Sequence, residues 1–504
     1  MRRFIAILLC ALLLSGCSTE KEPYVPTGNA LQQEDETAAA TIPQNNEQRL
    51  TLAWYPDRSL NPFQCTDYTN RVLFSLIYQG LFSVNRNYEV SPILCQNYNV
   101  SADMKTYTFY LGSATFSDGT AVTAADAAAS LKASIGSPWY GNRLQHVKSV
   151  TAYGSAVVLE LDTPMENLPV LLDIPIVKAS EVSAARPLGT GPYRLDGSRL
   201  RRQAGWWCST KLSVRADEIT LLSAESSAAL RDSFEFGNVS LVCTDPGDTE
   251  YVDFRSDYEL WDSENGSFLY LVCNKKSKIF SNDTVRAALT HAIDRDSLSD
   301  KYYHGFARSA ALPASPQSPY YSGSLAEKYG YDPQKFQDAV SEAGLTGSAV
   351  TLLLCNNDPL RLRAGQAIAK MLEAGGLVVT VTESTFEKFE ENLRWSDYDL
   401  YLGQTKLSVN MDLSAFFGTN TGLQYGGLSN PSLYAMSLEA LANSGNYYNL
   451  HEMVMEDAHL CPILFQNYAV YVSRGSLSGL SPARDNLFCY NLGRTMKDAL
   501  IKES

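Results

Sequence analysis

Strand-like and helix-like segments alternate between residues 349 and 402, and this alternation limits the possible folds more than any other feature of the chain. The apolar run AVTLLLC is followed by the helical pattern DPLRLRAGQAIAKMLEAGG, the strand-like LVVTVTE, the helical STFEKFEENL and the strand-like YDLYL. Alternation of this kind predicts a wound α/β sheet. The paired glycines at 375 and 376 give the first of these helices a natural end.

Shorter patterns predict the remaining elements. Alternating apolar residues predict strands, and apolar residues at helical spacing predict helices. Thr123 followed by Asp126 is a helix-start signal. The predicted strands are 48–55, 106–111, 157–161 and 463–472, and the predicted helices are 70–81, 123–134, 333–343, 431–442 and 449–459.

The first seventeen residues, MRRFIAILLCALLLSGC, have the pattern of an export signal: two arginines, an apolar stretch, and small residues before Cys17. Leu14-Ser15-Gly16-Cys17 resembles a bacterial lipobox. That resemblance implies removal of a lipoprotein signal peptide, 1–16, and a diacylglycerol on the Cys17 thiol. We expect a protein anchored by lipid at the extracytoplasmic face of the cell membrane, in the periplasmic space if the host has an outer membrane. A plain secretory peptide with an incidental cysteine is the alternative.

Composition separates a tether from the folded part. Residues 17–46 are rich in Glu, Gln, Asn, Thr, Ala and Pro and poor in large apolar side chains, which predicts a disordered, lipidated tether. The whole chain of 504 residues is 45% hydrophobic and carries 41 basic against 55 acidic side chains. That composition is typical of a globular protein. Its net charge of -14 disfavours nucleic-acid partners.

Several motifs, in one order along the chain, resemble the family five solute-binding proteins of bacterial ABC importers, which capture oligopeptides, dipeptides or chelated nickel. They are SLNPFQCTD with IYQGLF, TFSDGTAVTAAD, GTGPY, NDTVRAALTHAIDRDSLSDKYYHGFA, YDPQKFQDAVSEAG, YDLYL with NMDLSAFF, SNPSLY, and MEDAHLCPILF. Each is weak alone. Their shared order across most of the mature chain makes coincidence a poor explanation.

The resemblance implies a two-lobed α/β fold of the periplasmic-binding-protein type (class II), with ligand enclosed between the lobes. We expect lobe 1 at 47–262 plus 468–504, an inserted subdomain at about 80–184, and lobe 2 at 263–467. The lobes would close on a peptide or peptide-like solute by a hinge motion and deliver it, unaltered, to an ABC permease and its ATPase. We expect a monomer.

The ligand site departs from the family pattern. Peptide-binding relatives have an aspartate that pairs with the ligand's amino terminus, and the gap-free alignment on Asp412 puts Val409 there. Leu413 replaces the following proline. Lys406 replaces an upstream aromatic residue, and a cation there suits an acidic ligand better than a free amine. The ligand-binding candidates are Gln64, Tyr68, Tyr270, Lys406, Asn410 and Asp412.

Enzyme and metal signatures are incomplete. The string beginning at His451 lacks the second histidine of a zincin helix, and Asp294, Asp296 and Asp300 lack the glycine and glutamate of a calcium loop. We therefore expect no catalytic residue, cofactor or metal site. Eight cysteines remain besides Cys10 of the leader and the lipidated Cys17. They include no C-x-x-C pair and are expected to be mostly buried thiols, with no disulfide pairing selected.

Two other function classes remain open from the residues. One is a secreted α/β hydrolase or peptidoglycan-acting enzyme, and another is a sensory or adhesion lipoprotein that kept the cleft. Within the importer class, a nickel-chelate binder is the alternative to a peptide binder. Nothing clusters His or Met near the expected cleft, which favours peptide.

Overall fold

The computed structural model describes residues 50–209, 216–246, 254–477, 480 and 482–488. Its strands within these residues, numbered in chain order, are β1 Thr51–Trp54, β2 Phe82–Val84, β3 Val90–Pro92, β4 Cys95–Val100, β5 Thr106–Leu111, β6 Val147–Tyr153, β7 Ala156–Leu161, β8 Tyr193–Asp196, β9 Arg199–Arg202, β10 Glu218–Ser223, β11 Leu241–Thr244, β12 Tyr258–Cys273, β13 Ala307–Ser309, β14 Ala349–Cys355, β15 Val378–Ser384, β16 Leu400–Lys406 and β17 Leu460–Ser473.

The α-helices in the same residues vary from single turns to four turns. They are Tyr68–Arg71, Phe74–Ile77, Ala124–Ile135, Ser227–Glu235, Asp283–Ala292, Arg295–Tyr302, Gly323–Ala326, Pro333–Glu342, Pro359–Ala374, Phe386–Trp395, Ser414–Phe417, Pro431–Ala442 and Tyr447–Asp457. Short 3₁₀ turns join them, and the one that bears on the site is Gly141–Leu144.

One sheet runs through the molecule in the order β15-β14-β16-β12-β17-β11-β1-β10-β9-β8, and β13 pairs with β17. Strands β12 and β17 are antiparallel and long enough to take part in both halves. The half with β11, β1, β10, β9 and β8 forms the first lobe, and the half with β16, β14 and β15 forms the second. The expected two-lobed α/β fold, with strands that cross between the lobes, is confirmed.

The second lobe contains the predicted β/α alternation. Strand β14 pairs in parallel with both β15 and β16, and helices Pro359–Ala374 and Phe386–Trp395 make the connections. Leu352 and Leu354 of β14 are buried with Ala364 and Ile368 of the first connecting helix in one apolar cluster. The apolar runs are continuous because the strands of a parallel sheet are covered on both faces.

A separate sheet in the order β4-β5-β7-β6 lies in the region expected for the inserted subdomain. Helix Ala124–Ile135 packs on β6 and β7 of this sheet. A capping box begins the helix, because the Thr123 N–H donates to the Asp126 carboxylate at 2.8 Å. The helix-start prediction at Thr123 is therefore confirmed.

The predicted helix over 70–81 is wrong in its continuity. The structure has two single turns, Tyr68–Arg71 and Phe74–Ile77, and the chain is extended at Tyr78. The carbonyl of Ile77 accepts a hydrogen bond from the Gly191 N–H at 2.8 Å. A Cβ on Gly191 would lie 2.5 Å from the Leu76 carbonyl oxygen, so this close approach needs glycine. Tertiary pairing thus ends the helix early.

No helix among the described residues is both long and apolar enough to cross a membrane. The predicted leader at 1–16 and tether at 17–46 lie outside those residues.

Candidate functional site

The two crossing strands have a bending point midway between the lobes. Glu264 of β12 pairs with Asn467, and Phe268 pairs with Phe465, so three residues of β12 stand opposite one of β17. Gly266 lies in this bulge with φ of 73°, a conformation that favours glycine. Because a bulge bends a strand and increases its twist, the two crossing strands bend at this point.

Lys406 lies beside the bulge on the second lobe. It is the last residue of β16 and pairs with Ser267 of β12. Its side chain is 23% exposed, and Nζ lies 2.9 Å from a carboxylate oxygen of Asp485. Asp485 belongs to the segment that follows β17, and its φ is 63°. The segment after β17 therefore places an acid next to the cation of the second lobe.

Arg143 continues the ion-pair network into the first lobe. It belongs to the 3₁₀ turn Gly141–Leu144, and its guanidinium contacts both Asp173 and Asp485. The Arg143 side chain is 1% exposed, so both ion pairs are shielded from solvent. Asp485 consequently joins a cation of each lobe, Arg143 and Lys406.

Trp139 also contacts a cation from each lobe. The guanidinium carbon of Arg71 lies 3.9 Å from the indole centroid, and Lys406 Nζ lies 4.4 Å from it. Cations over an aromatic face are attracted by the ring quadrupole. Arg71 donates to the Tyr140 hydroxyl at 3.3 Å, but its buried Nη1 has no hydrogen-bond partner in the structure.

Local hydrogen bonds position Arg71. The preceding residue, Asn70, accepts from the Tyr55 N–H at 2.8 Å and donates to the Tyr55 carbonyl at 3.0 Å. Asp67 caps the same turn by accepting from the Asn70 N–H. These bonds attach helix Tyr68–Arg71 to the end of β1, so the backbone from which the Arg71 side chain extends is held in place.

Arg484 packs against the hinge. Its side chain occupies the space that a Cβ on Gly266 would need, and it donates to the Leu407 carbonyl of the second lobe. Its buried Nε and Nη1 have no hydrogen-bond partner in the structure. Nearby on β12, Glu264 accepts from the Tyr88 hydroxyl at 2.6 Å. Burial raises the pKa of Glu264, although Arg484 and the Tyr88 hydrogen bond oppose that shift.

A second set of contacts joins the inserted subdomain to the second lobe. His146 Nε2 lies 3.0 Å from the Asp412 carboxylate, Gln145 donates to the same carboxylate, and the Ser414 N–H donates to it at 2.8 Å. His146 Nδ1 lies 3.2 Å from Asp162. We call His146, Gln145 and Asp412 the interlobe latch.

Burial and neighbouring charge oppose each other at the titratable groups. Burial lowers the pKa of Lys406 to about 7, because Asp485 only partly offsets the lost hydration. Burial would raise the pKa of Asp485, but Lys406, Arg143, Arg484 and Arg71 hold it well below its usual range. Burial lowers the pKa of His146, but its bonds to Asp412 and Asp162 outweigh burial and raise it.

Three of the predicted ligand residues lie around the cleft. Lys406 lies at the hinge, as described. The ring of Tyr68 has its centroid 6.3 Å from that of Trp139 and 3.9 Å from that of Tyr468, so it extends the same aromatic wall. Asp412 bridges the lobes through the latch, and its side chain is 2% exposed.

The other three predicted residues lie elsewhere. Gln64 is exposed in the loop before Asp67. Tyr270 is 3% exposed and packs edge-on against Phe416, with ring centroids 5.1 Å apart. Asn410 is buried, and its carbonyl accepts from the Tyr447 hydroxyl. Ligand contact by any of the six residues stays a prediction.

Sequence reasoning missed most of the residues that contact Lys406 and its neighbours: Arg71, Trp139, Arg143, Asp173, Arg484 and Asp485. They come from segments far apart in the chain, and no motif or periodicity marks any of them. The one available signal for Arg71 is its place one helical turn after Tyr68, on the same helix face.

The described residues give little support for a metal site or a reactive thiol. The described residues contain no group of three or more His, Cys, Asp or Glu that could hold a metal ion. His451 is fully buried, and neither ring nitrogen has a hydrogen-bond partner in the structure. Asp294 caps helix Arg295–Tyr302. The seven described cysteines are buried, as predicted: Cys65, Cys95, Cys208, Cys243, Cys273, Cys355 and Cys461. Cys489 lies outside the described residues.

Comparison with known sequences gives one consistent result. The family model described as "bacterial extracellular solute-binding proteins, family 5 middle" matches residues 89–426. The chain is 25% identical over 346 residues to the glutathione-binding protein GsiB of Escherichia coli O1:K1, covering 64% of this chain and 67% of that protein.

Solved structures have the same fold. The ABC transporter substrate-binding protein CtaP of Listeria monocytogenes aligns with a TM-score of 0.69 at 19% identity, over 88% of this chain and 99% of that one. NikA of Brucella suis, solved with Fe(III)-EDTA, aligns with a TM-score of 0.67 at 19% identity, over 88% and 100% of the two chains. These alignments confirm the two-lobed architecture.

Proposed function

The chain belongs to the bacterial extracellular solute-binding proteins, family 5, and from this premise we propose that it captures peptides or peptide-like solutes between its lobes for an ABC importer. It is a transport binding protein and not an enzyme. The observation that carries the proposal is the pair of crossing strands with a bulge at Gly266, flanked by contacts between the lobes. A ligand that touches both lobes favours the closed state by its difference in affinity for the closed and open forms.

The names of similar proteins support a peptide-like ligand. GsiB is a glutathione-binding protein, and MppA, a fold neighbour with a TM-score of 0.71, is a murein tripeptide-binding protein. NikA of Brucella suis holds a metal chelate instead. Because no cluster of metal-ligating side chains occurs among the described residues, a peptide-like solute is the better candidate for this chain.

Ligand stabilisation tests this function. A binder gains RT ln(1 + [L]/Kd) of stability, which is about 2.7 kcal/mol at 100 times Kd. We expect tripeptides, glutathione among them, to raise the melting temperature of the purified chain and to be recovered chemically unchanged. Conversion of the bound peptide, or no shift with any tripeptide, would contradict the proposal.

We propose that Cys17 carries the lipid anchor. The family is extracellular by its description, so the chain works outside the cytoplasm, and a lipobox cysteine supports attachment to the membrane surface through the tether at 17–46. Metabolic labelling with an alkyne fatty acid should mark the wild-type protein. Cys17→Ser should remove the label, whereas Cys10→Ser should keep it, since residue 10 leaves with the signal peptide. Equal labelling of both variants would contradict a lipid on Cys17.

We further propose the lobe bounds 47–262 plus 468–504 for lobe 1, with its insert at about 80–184, and 263–467 for lobe 2. Support comes from the pairing change between Glu264 and Phe268 on β12. The partners in this proposal are an ABC permease and its ATPase, and the binding protein acts as a monomer.

A further inference from the structure

The cleft cluster contains more positive than negative charge. Its cations, Arg71, Arg143, Lys406 and Arg484, are linked through contacts with Trp139, Tyr140 and Asp485. Its carboxylates in ion pairs are Asp173 and Asp485. A third carboxyl group, that of Glu264 on β12, lines the same cavity as Arg484 and accepts a hydrogen bond from the Tyr88 hydroxyl. Counted over the described residues, the cluster therefore has an excess of two positive charges when Lys406 is protonated, or of one if Glu264 is ionised as well.

The two carboxylates are already shared. Asp173 contacts Arg143, while Asp485 contacts Arg143, lies 2.9 Å from Lys406 and lies 3.8 Å from Arg484. Arg71 has no ion pair among the described residues. Unpaired buried charge is costly. Because these cations are mostly buried, the excess charge favours an anion as the group that completes the site.

The donors of Arg71 and Arg484 that lack hydrogen-bond partners also favour an anionic ligand. Arg71 is 7% exposed and leaves Nη1 without a hydrogen-bond partner in the structure, and Arg484, also 7% exposed, leaves Nε and Nη1. These three atoms are donors, and a guanidinium has no acceptor. A carboxylate supplies acceptors and charge together and binds guanidinium groups in a bidentate way.

The site is poorly suited to a free amine. Val409 stands where the family pattern would put the amine-binding aspartate, and it is a buried apolar residue. Asp412 is 2% exposed at its side chain and is occupied by the latch. Asp262, near the hinge, contacts Arg308 and accepts from the Asn467 amide at 2.8 Å. These carboxylates are therefore already engaged.

We propose that the captured solute carries a net negative charge of one or two, that Arg71 of the first lobe and Lys406 of the second lobe bind its acidic group, and that Asp485 sets how many negative charges the site accepts. The inference rests on the proposed function, because it uses the same cleft. An anion that contacts Arg71 and Lys406 together stabilises the closed form, since opening would separate the two cations.

Four tripeptides of one length separate charge from size: Ala-Ala-Lys, Ala-Ala-Ala, Ala-Ala-Glu and Ala-Glu-Glu, whose net charges run from positive through zero to doubly negative. Calorimetric titration of the full chain should give Ala-Glu-Glu or Ala-Ala-Glu an affinity at least about tenfold higher than Ala-Ala-Ala, as one additional charge-assisted hydrogen bond predicts. Equal or tighter binding of Ala-Ala-Ala or Ala-Ala-Lys would overturn the charge assignment and leave peptide capture intact.

Variants identify the residues. Lys406→Met should lose at least about tenfold in affinity for the acidic peptides and little for Ala-Ala-Ala, while Lys406→Arg should keep the acidic preference. Arg71→Met should act like Lys406→Met. Lys388→Met, an exposed change on helix Phe386–Trp395, is the control. Melting temperatures of the unliganded variants show whether each one is folded, and acidic preference unchanged in folded Lys406→Met and Arg71→Met would refute the roles of both residues.

Asp485→Asn removes the shared negative charge. It should shift preference from Ala-Ala-Glu toward Ala-Glu-Glu, because the site then needs one more negative charge from the ligand. An unchanged ratio of the two affinities would refute the role of Asp485.

Succinate and its diamide, succinamide, test the anion site without a peptide. If succinate binds while succinamide and every tripeptide do not, the proposal of peptide capture fails and the proposal of an anion site stands. If neither the tripeptides nor succinate bind, both proposals fail.

Discussion

The interlobe latch should make closure depend on pH through His146. Its two ring nitrogens face Asp412 at 3.0 Å and Asp162 at 3.2 Å, with the Ser414 hydroxyl 3.3 Å from Nε2. These partners outweigh burial and raise the pKa of His146 above its ordinary value, which is about 6.5. The charged bridge is therefore complete below pH of about 6.5 and is lost as pH rises through the raised value.

The size of the effect follows from the burial of the bridge. The Asp412 side chain is 2% exposed and that of His146 is 11% exposed, so solvent screens the pair little. A hydrogen bond to a charged group contributes about 1.5–3 kcal/mol. Since 1.4 kcal/mol is about tenfold, loss of the charged bridge should lower the ratio of closed to open molecules by about 10- to 150-fold. A neutral histidine can still donate to Asp412, so the lower end is expected on titration alone.

Energy transfer between dyes on the two lobes measures this ratio. Tyr153, the last residue of β6, is 79% exposed, and Trp395 of the second lobe is 75% exposed. Cysteines placed at these two positions can be labelled selectively in a mature chain with Cys17→Ser and Cys489→Ser, because the seven native cysteines that the structure describes are buried. Single-molecule transfer efficiency in the unliganded protein should show the closed fraction falling as pH is raised from 5.5 to 8.5.

His146→Gln is the matched control. Glutamine retains a donor for Asp412 but does not titrate, so its closed fraction should be smaller at low pH and flat over the range. The reasoning would be refuted if the variant kept the wild-type pH response. A wild-type closed fraction that grew with pH would refute it as well, because the sign follows directly from the raised pKa.

Three further predictions concern packing, protonation and thiols. Gly403→Ala should lower the melting temperature, because its Cβ would lie 2.5 Å from the Tyr270 ring and overpacking costs about 1–3 kcal/mol. Gly323→Ala is the control, since nothing lies within 4 Å of its Cβ. Equal effects of the two substitutions would contradict the close packing at Gly403. Burial lowers the pKa of Lys406 to about 7, so above pH 7 the binding of an acidic tripeptide should be coupled to proton uptake by Lys406 and should weaken toward pH 9. Calorimetry in buffers of different ionisation enthalpy measures this uptake, and a binding heat that does not depend on the buffer would contradict it. Denaturation should expose the seven buried thiols to a thiol reagent that the native chain excludes, and rapid native labelling of any of them, located by peptide mapping, would contradict their burial.

The fold could be predicted where local pattern and tertiary structure agree. Helix Pro431–Ala442 and strand β5 match their predicted bounds, because Asn430 and Pro431 mark the start of the helix and alternation from Thr106 to Phe109 marks the strand. The helix at 70–81 failed because pairing of the Ile77 carbonyl with Gly191, more than a hundred residues away, ends it early. No local pattern contains that contact.

The site was predicted less completely than the fold. Lys406 and Asp412 were found through their alignment with a family motif, and both lie at contacts between the lobes. Arg143 and Asp485 were missed because a single charged residue looks the same in sequence whether it is solvated or buried in an ion pair. Tyr270 was a candidate as well, and its ring packs against Phe416; its contact with ligand stays a prediction.

In the proposed function, two lobes enclose a solute and release it unaltered. Native mass spectrometry of the protein purified from its own host tests this most directly, because a retained solute is weighed in the complex and again after release. We predict a non-covalent, acidic solute of one defined mass, bound one per chain and unchanged after release and rebinding. A covalent adduct, or a released solute that the protein converts on re-incubation, would contradict it.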